Sequence, residues 1–142
     1  MRPKLTGVLE TALYVDDVER AAHFYEKIFG FEKIAGDPST PLRAGDRLWA
    51  LSVEGRQVLL VCKRGASREP LSAATSHDAV GQQHLCFAIQ AAELEAWEKW
   101  LAENGVAIIE RRTWERGGRS LYFRDPDGHL LELATPGTWV IY

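Results

Sequence analysis

Apolar positions in this chain recur with two periods, and the switches between them predict its elements. Val8–Val15 is an apolar run carrying Glu10 and reads as a strand. Val18, Ala21, Ala22, Tyr25, Ile28 and Phe29 then follow the i, i+3, i+4, i+7 spacing of a buried helical face. Asp16, three residues before Glu19, is a capping-box-like opening for that helix, and Gly30 closes it. Phe31–Ile34 reads as a short strand and Gly36–Pro41 as a loop. Arg47–Val53 and Gln57–Cys62 read as two strands joined around Glu54-Gly55. From residue 64 to 83 glycine, serine, alanine, proline and charge dominate and the periodicity disappears. This is a linker or a flap over a site, in which His77 and Asp78 are either pocket residues or solvated ones.

After the linker the opening pattern returns. His84–Ile89 reads as a strand, and Ala92–Asn104 as a helix with Leu94, Trp97, Trp100 and Leu101 on its apolar side. Gly105 stops that helix and Val106–Glu110 is a short strand. A hairpin over Arg119–Gly137 follows, with strands Ser120–Arg124 and His129–Ala134 about the turn Asp125-Pro126-Asp127-Gly128. Laying Glu10 on His84 superposes the halves and roughly matches Gly30 to Gly105, so a βαβββ unit is duplicated. The predicted fold class is α+β: two tandem βαβββ modules, residues 1–63 and 84–142, joined by a 64–83 linker within one compact domain. The modules are expected to form an open, barrel-like mixed sheet with helices outside.

Period-two alternation sorts the strand side chains onto faces. Glu10, Ala12 and Tyr14 oppose Leu9, Leu13 and Val15; His84, Cys86 and Ala88 oppose Leu85, Phe87 and Ile89. Leu130, Glu132 and Ala134 oppose Leu131 and Leu133, and Ser120, Tyr122 and Arg124 oppose Leu121 and Phe123. The bulky faces are expected against the helices, leaving acid or imidazole among mostly small residues, as in a cavity wall. Glu132 lies at the centre of a hydrophobic strand, where a carboxylate is costly to bury unless something positive meets it. Glu10, His84 and Glu132 together make a facial set for a divalent cation. Two carboxylates balance the ion's charge, an imidazole suits Mn, Ni, Co, Fe or Zn, and the open positions go to water or substrate. The alternative is a polar core in which Glu10 pairs with His84 or with an arginine. Spacing alone leaves both readings open.

Composition narrows the picture less. At 142 residues, 46% hydrophobic and 26% charged, the chain is long enough for a core of ordinary globular character. A net charge of −3 gives no electrostatic case for nucleic acid or an anionic membrane. The first residues, Met-Arg-Pro-Lys-Leu-Thr-Gly, precede no apolar run long enough for a signal or a span, so a cytoplasmic location is expected. Cys62 and Cys86 both fall in strand-like runs and read as buried thiols. His23 and His129 are expected to be structural or exposed.

Three stretches carry a resemblance: Tyr14–Phe31, His84 at the head of the second half, and Ser120–Leu133. In the order βαβββ–βαβββ they are similar to the vicinal oxygen chelate superfamily, which includes glyoxalase I, extradiol dioxygenases, fosfomycin-resistance thiol transferases and bleomycin-resistance proteins. The resemblance implies metal ligands at Glu10, His84 and Glu132, with Glu10 where the family often has histidine. The fourth ligand position falls at about Leu60, which cannot bind metal and speaks against glyoxalase I. A single histidine in the set speaks against a 2-His-1-carboxylate dioxygenase. Arg111–Arg119 followed by the hairpin resembles the thiol-transferase branch most. There Ser120 and Tyr122 would approach substrate, and Arg112, Arg116 and Arg119 would hold an anion. The other reading of the arginines is a solvated turn. Tyr14, Cys86 and Trp49 complete the expected substrate-binding set.

The implied function is a divalent-metal-dependent lyase, isomerase or thiol transferase acting on a small molecule with vicinal oxygens. Glu10 or Glu132 would act as base and Tyr122 would orient the substrate. The rival is a metal-free protein that sequesters a small molecule, stacking it on Trp49 or Trp114. A regulatory subunit without chemistry is the third possibility. A homodimer is implied, with the site formed within one chain or across the pair.

Overall fold

The computed structural model describes residues 1–34, 47–66 and 73–142. The expected loop Gly36–Pro41 lies outside them, as do residues 67–72 of the expected linker. The chain divides into two compact units, Met1–Val80 and Gly81–Tyr142. The first holds β1 (Glu10–Val15), α1 (Val18–Phe29), β2 (Glu32–Lys33), β3 (Leu48–Val53) and β4 (Gln57–Lys63). The second holds β5 (His84–Ala88), α2 (Leu94–Glu103), β6 (Glu110–Thr113), β7 (Arg119–Arg124) and β8 (Leu130–Ala134). The βαβββ unit is present twice.

Each unit has one mixed four-stranded sheet, ordered β1-β4-β3-β2 in the first and β5-β8-β7-β6 in the second. The strand before the helix pairs parallel with the last strand of its unit, and the remaining pairs are antiparallel. Even the register repeats. Glu10, Ala12 and Tyr14 stand opposite Val58, Leu60 and Cys62, while His84, Cys86 and Ala88 stand opposite Leu130, Glu132 and Ala134. The alternation of faces follows the expected sorting. Leu13, Val15, Leu51, Leu59 and Val61 in one unit, and Leu121, Phe123, Leu131 and Leu133 in the other, are at most 1% exposed. Each such burial is worth roughly 1.5–3 kcal/mol.

Helix α1 begins at Asp17, one residue after the expected cap, because it is the Asp17 carboxylate that accepts the Arg20 N–H at 3.0 Å. Gly30 ends it in the left-handed region, φ 70°, with its N–H on Glu26 O. Val18, Ala21, Ala22, Tyr25 and Ile28 form its buried face. In α2 the buried line is narrower than expected. Leu94 and Leu101 are buried, but Trp100 is 41% exposed, since one residue rotates the side chain by about 100°. The strand expected at Val106–Glu110 lies instead at Glu110–Thr113, all of it exposed. As an edge strand it is held by backbone bonds to β7 and needs no apolar pattern. Among the described residues no helix is long and apolar enough to cross a membrane.

Candidate functional site

The second sheet places Glu132 mid-strand on β8, with Cys86 of β5 opposite on one side and Tyr122 of β7 on the other. Glu110 of β6 continues the same row beyond Tyr122. The Glu132 carboxylate is 8% exposed, and the group that meets it is His84, whose Nε2 lies 3.3 Å from Oε2. The other imidazole nitrogen, Nδ1, is 3.0 Å from Leu130 O. A carbonyl only accepts, so Nδ1 carries a hydrogen. Nε2 then either bears a second proton and ion-pairs with Glu132, or turns a lone pair toward a carboxylate lone pair. Something positive must lie between these two atoms, either a proton or a cation.

Glu132 Oε1 is buried without a hydrogen-bond partner. An imidazole fixed through its far nitrogen is the arrangement by which proteins aim a histidine at a metal. Two donors each about 2.1 Å from one ion stand roughly 3.0–3.4 Å apart, so the His84–Glu132 pair fits as half of a coordination sphere. Among the described residues no group of three or more His, Cys, Asp and Glu side chains is gathered to hold a metal.

Two protic groups flank the carboxylate. Burial, with the charge of Glu132 added, pushes both the Tyr122 phenol and the Cys86 thiol up to about 12. Both therefore stay protonated at neutral pH. Cys86, expected to be buried, is exposed as a whole residue because β5 is the edge of its sheet, while its thiol is partly desolvated beside Glu132. Ser120, opposite Ala134 on β7, is 1% exposed, and its Oγ accepts the Trp114 indole N–H at 2.8 Å. Arg112 of β6 stands opposite Ser120. Its guanidinium lies 5.2 Å from the Trp114 ring and 5.8 Å from that of Tyr122, and it bonds Glu110 at 2.6 Å.

Arg119 and Arg116 are placed differently. Arg119 alternates onto the face of Leu121 and Phe123, and Arg116 sits in the exposed turn before β7. Of the arginines ahead of Ser120, Arg112 is thus the one that shares a face with Tyr122; Arg124, also on that face, bonds Gln82 and Gly128 O. Setting the strand at Glu110–Thr113 would have revealed this by alternation. His129, as expected, is structural: it is fully buried, with Nδ1 accepting the Gln83 N–H.

In the first unit Glu10 opens β1 and is exposed, on the face it shares with Tyr14. Tyr14 stands opposite Cys62, and its hydroxyl is bonded to His77 Nδ1. Trp49 is on the helix side of the sheet, opposite Val61. Its indole N–H bonds Glu19 of α1, and Lys33 Nζ lies 4.3 Å from its ring. The indole N–H and the ring of Trp49 are thus engaged by Glu19 and Lys33, away from the Glu10 face. Leu60 occupies in β4 the register place that Glu132 holds in β8.

The family model described as Glyoxalase/Bleomycin resistance protein/Dioxygenase superfamily matches residues 7–133. Metallothiol transferase FosB of Bacillus licheniformis is 30% identical over 133 residues, 93% of this chain and 77% of that protein. The protein of the same name from Shouchella clausii is 28% identical over 133 residues, 92% of this chain and 81% of that one. Among solved structures, lactoylglutathione lyase from Agrobacterium tumefaciens matches with a TM-score of 0.83 at 30% identity, covering 97% of this chain and 99% of that chain.

Proposed function

Because the chain belongs to the glyoxalase/bleomycin resistance protein/dioxygenase superfamily, we propose that it is a divalent-metal-dependent transferase joining a thiol to a small molecule with two neighbouring oxygens. The observation that carries this reading is the His84–Glu132 pair, with one imidazole nitrogen tied to Leu130 O and a buried carboxylate oxygen left without a partner. The thiol-transfer class is supported by the two metallothiol transferases, which match over 92–93% of the chain.

In this reading His84 Nε2 and Glu132 would hold the ion, one of Mn, Ni, Co, Fe or Zn. Glu10 is the further carboxylate that the family resemblance implies. When bound, the ion supplies Lewis-acid polarisation of a substrate oxygen. The sulfur–carbon bond would form as a carbon–oxygen bond of a strained ring opens, with the thiol proton passing to the released oxygen. Tyr122, protonated up to about pH 12, is the hydrogen-bond donor that orients that oxygen. Arg112, held over two aromatic rings, binds an anionic substituent on the substrate. Ser120, fixed by Trp114, and Cys86 line the remainder.

The test is thermal melting with added Mn or Ni, followed by thiol consumption with a small anionic epoxide. A ligand of the native state at one hundred times its Kd adds about 2.7 kcal/mol, several degrees of melting temperature. His84→Ala and Glu132→Gln should abolish that rise. If no divalent metal shifts the melting of the wild type and no thiol is consumed, the enzymatic reading fails and metal-free small-molecule binding replaces it.

A further inference from the structure

Residues 73–80 end the first unit. They contain one turn of 3-10 helix, Ala73–Thr75, and Val80 at their end is 83% exposed. Two anchors tie this stretch to the sheet. His77 Nδ1 is bonded to the Tyr14 hydroxyl of β1, with the two rings edge to face at 5.7 Å and 72°. Asp78 accepts the Gly65 N–H, just past β4, at 3.0 Å through Oδ2, and the Ala79 N–H at 2.9 Å through Oδ1.

Tyr14 and Cys62 stand opposite one another on the face so anchored, and each is only 7% exposed. The same register places in the second unit are Ala88 and Ala134, so the buried phenol and thiol belong to the first unit alone. The charge of Asp78 reaches this spot, adding to the burial that pushes the Cys62 thiol up to about 11. The sheet beneath is held by two full strand ladders and by Leu13, Val15, Leu51, Leu59 and Val61, each at most 1% exposed. A peripheral stretch outside the strand ladders opens at lower cost than such a sheet.

We propose that residues 73–80 are a strap latched over Tyr14 and Cys62 by His77 and Asp78, and that its release, with the sheet intact, opens these two residues to a small molecule. The strap rests on contacts within the first unit and not on the metal reading, and the readouts below involve no metal.

The experiment uses the full chain in a Cys86→Ser background, leaving Cys62 as its one thiol. Tyr14→Phe removes only the hydroxyl of the latch, and His77→Ala removes its partner. Each should raise the rate of Cys62 labelling by a disulfide reagent about threefold to tenfold, the worth of one net hydrogen bond. The double variant should exceed neither single by much, because the two residues share one contact. Labelling should be nearly independent of low urea, and the Gly65 and Ala79 amides should exchange faster in His77→Ala. Unchanged labelling in both variants overturns the strap. So does labelling that rises only in step with global unfolding, with the same urea dependence.

Discussion

Glu132 and Leu60 fill equivalent places in the two sheets, and the difference between them concentrates the chemistry in the second. The half-buried leucine there needs no polar partner. A carboxylate there recruits His84, leaves one oxygen without a partner and raises its two protic neighbours. In the first sheet two ionisable residues are buried on that face, Tyr14 and Cys62, and the Cys62 thiol is pushed from an ordinary 9.0 to about 11 by burial first and then by Glu10 and Asp78. The native state therefore binds that proton more tightly than the unfolded chain. Between pH 9 and about 11 the unfolded chain gives up its proton first, so stability is intact below 9 and falls through this window. Urea midpoints at about pH 8 and about pH 10.5 should show the loss, and Cys62→Ala should remove part of it. An equally steep fall in the variant would assign it elsewhere. Composition alone hides such shifts, because they depend on which charges the strand register brings beside the thiol.

At the scale of elements, the interior strands and α1 were legible because their apolar periods report the faces they bury. β6 was not, since an exposed edge strand is specified by its neighbour's backbone. That shift of a few residues is what brought Arg112, rather than Arg119 or Arg116, onto the Tyr122 face. The turn leading into β7 depends on a close approach that no local pattern discloses. A Cβ on Gly118 would lie 2.2 Å from Thr138 N and 2.3 Å from Gly137 C, both backbone atoms. Gly118→Ala should therefore cost roughly 2–4 kcal/mol in urea unfolding. It should also loosen Trp114, whose N–H bonds Gly118 O at 2.8 Å and whose indole holds Ser120. Wild-type stability in that variant would show that the turn can shift freely.

For the whole molecule, the duplicated unit leaves an edge strand at each end of each sheet, β1 and β5 among them. Unpaired edges and exposed apolar residues, including Leu9 at 69% and Trp139 at 67%, are surfaces that proteins ordinarily cover. The implied homodimer would do so. Sedimentation equilibrium should give twice the 15.9 kDa chain mass at micromolar concentration, and a persistent monomer would reject it.

The sequence by itself determined the duplication, the order of elements and the faces of the interior strands, because hydrophobic period and turn residues are local properties that survive without coordinates. It also singled out Glu132 as a carboxylate needing a cationic neighbour. Only the tertiary structure decided which neighbour that was, which nitrogen of His84 faces it, that Trp49 is spent on Glu19 and Lys33, and that His77 reaches Tyr14 across 63 positions of chain. Those outcomes turn on strand register and on side chains far apart in sequence, where a one-residue slip would carry every group to the opposite face.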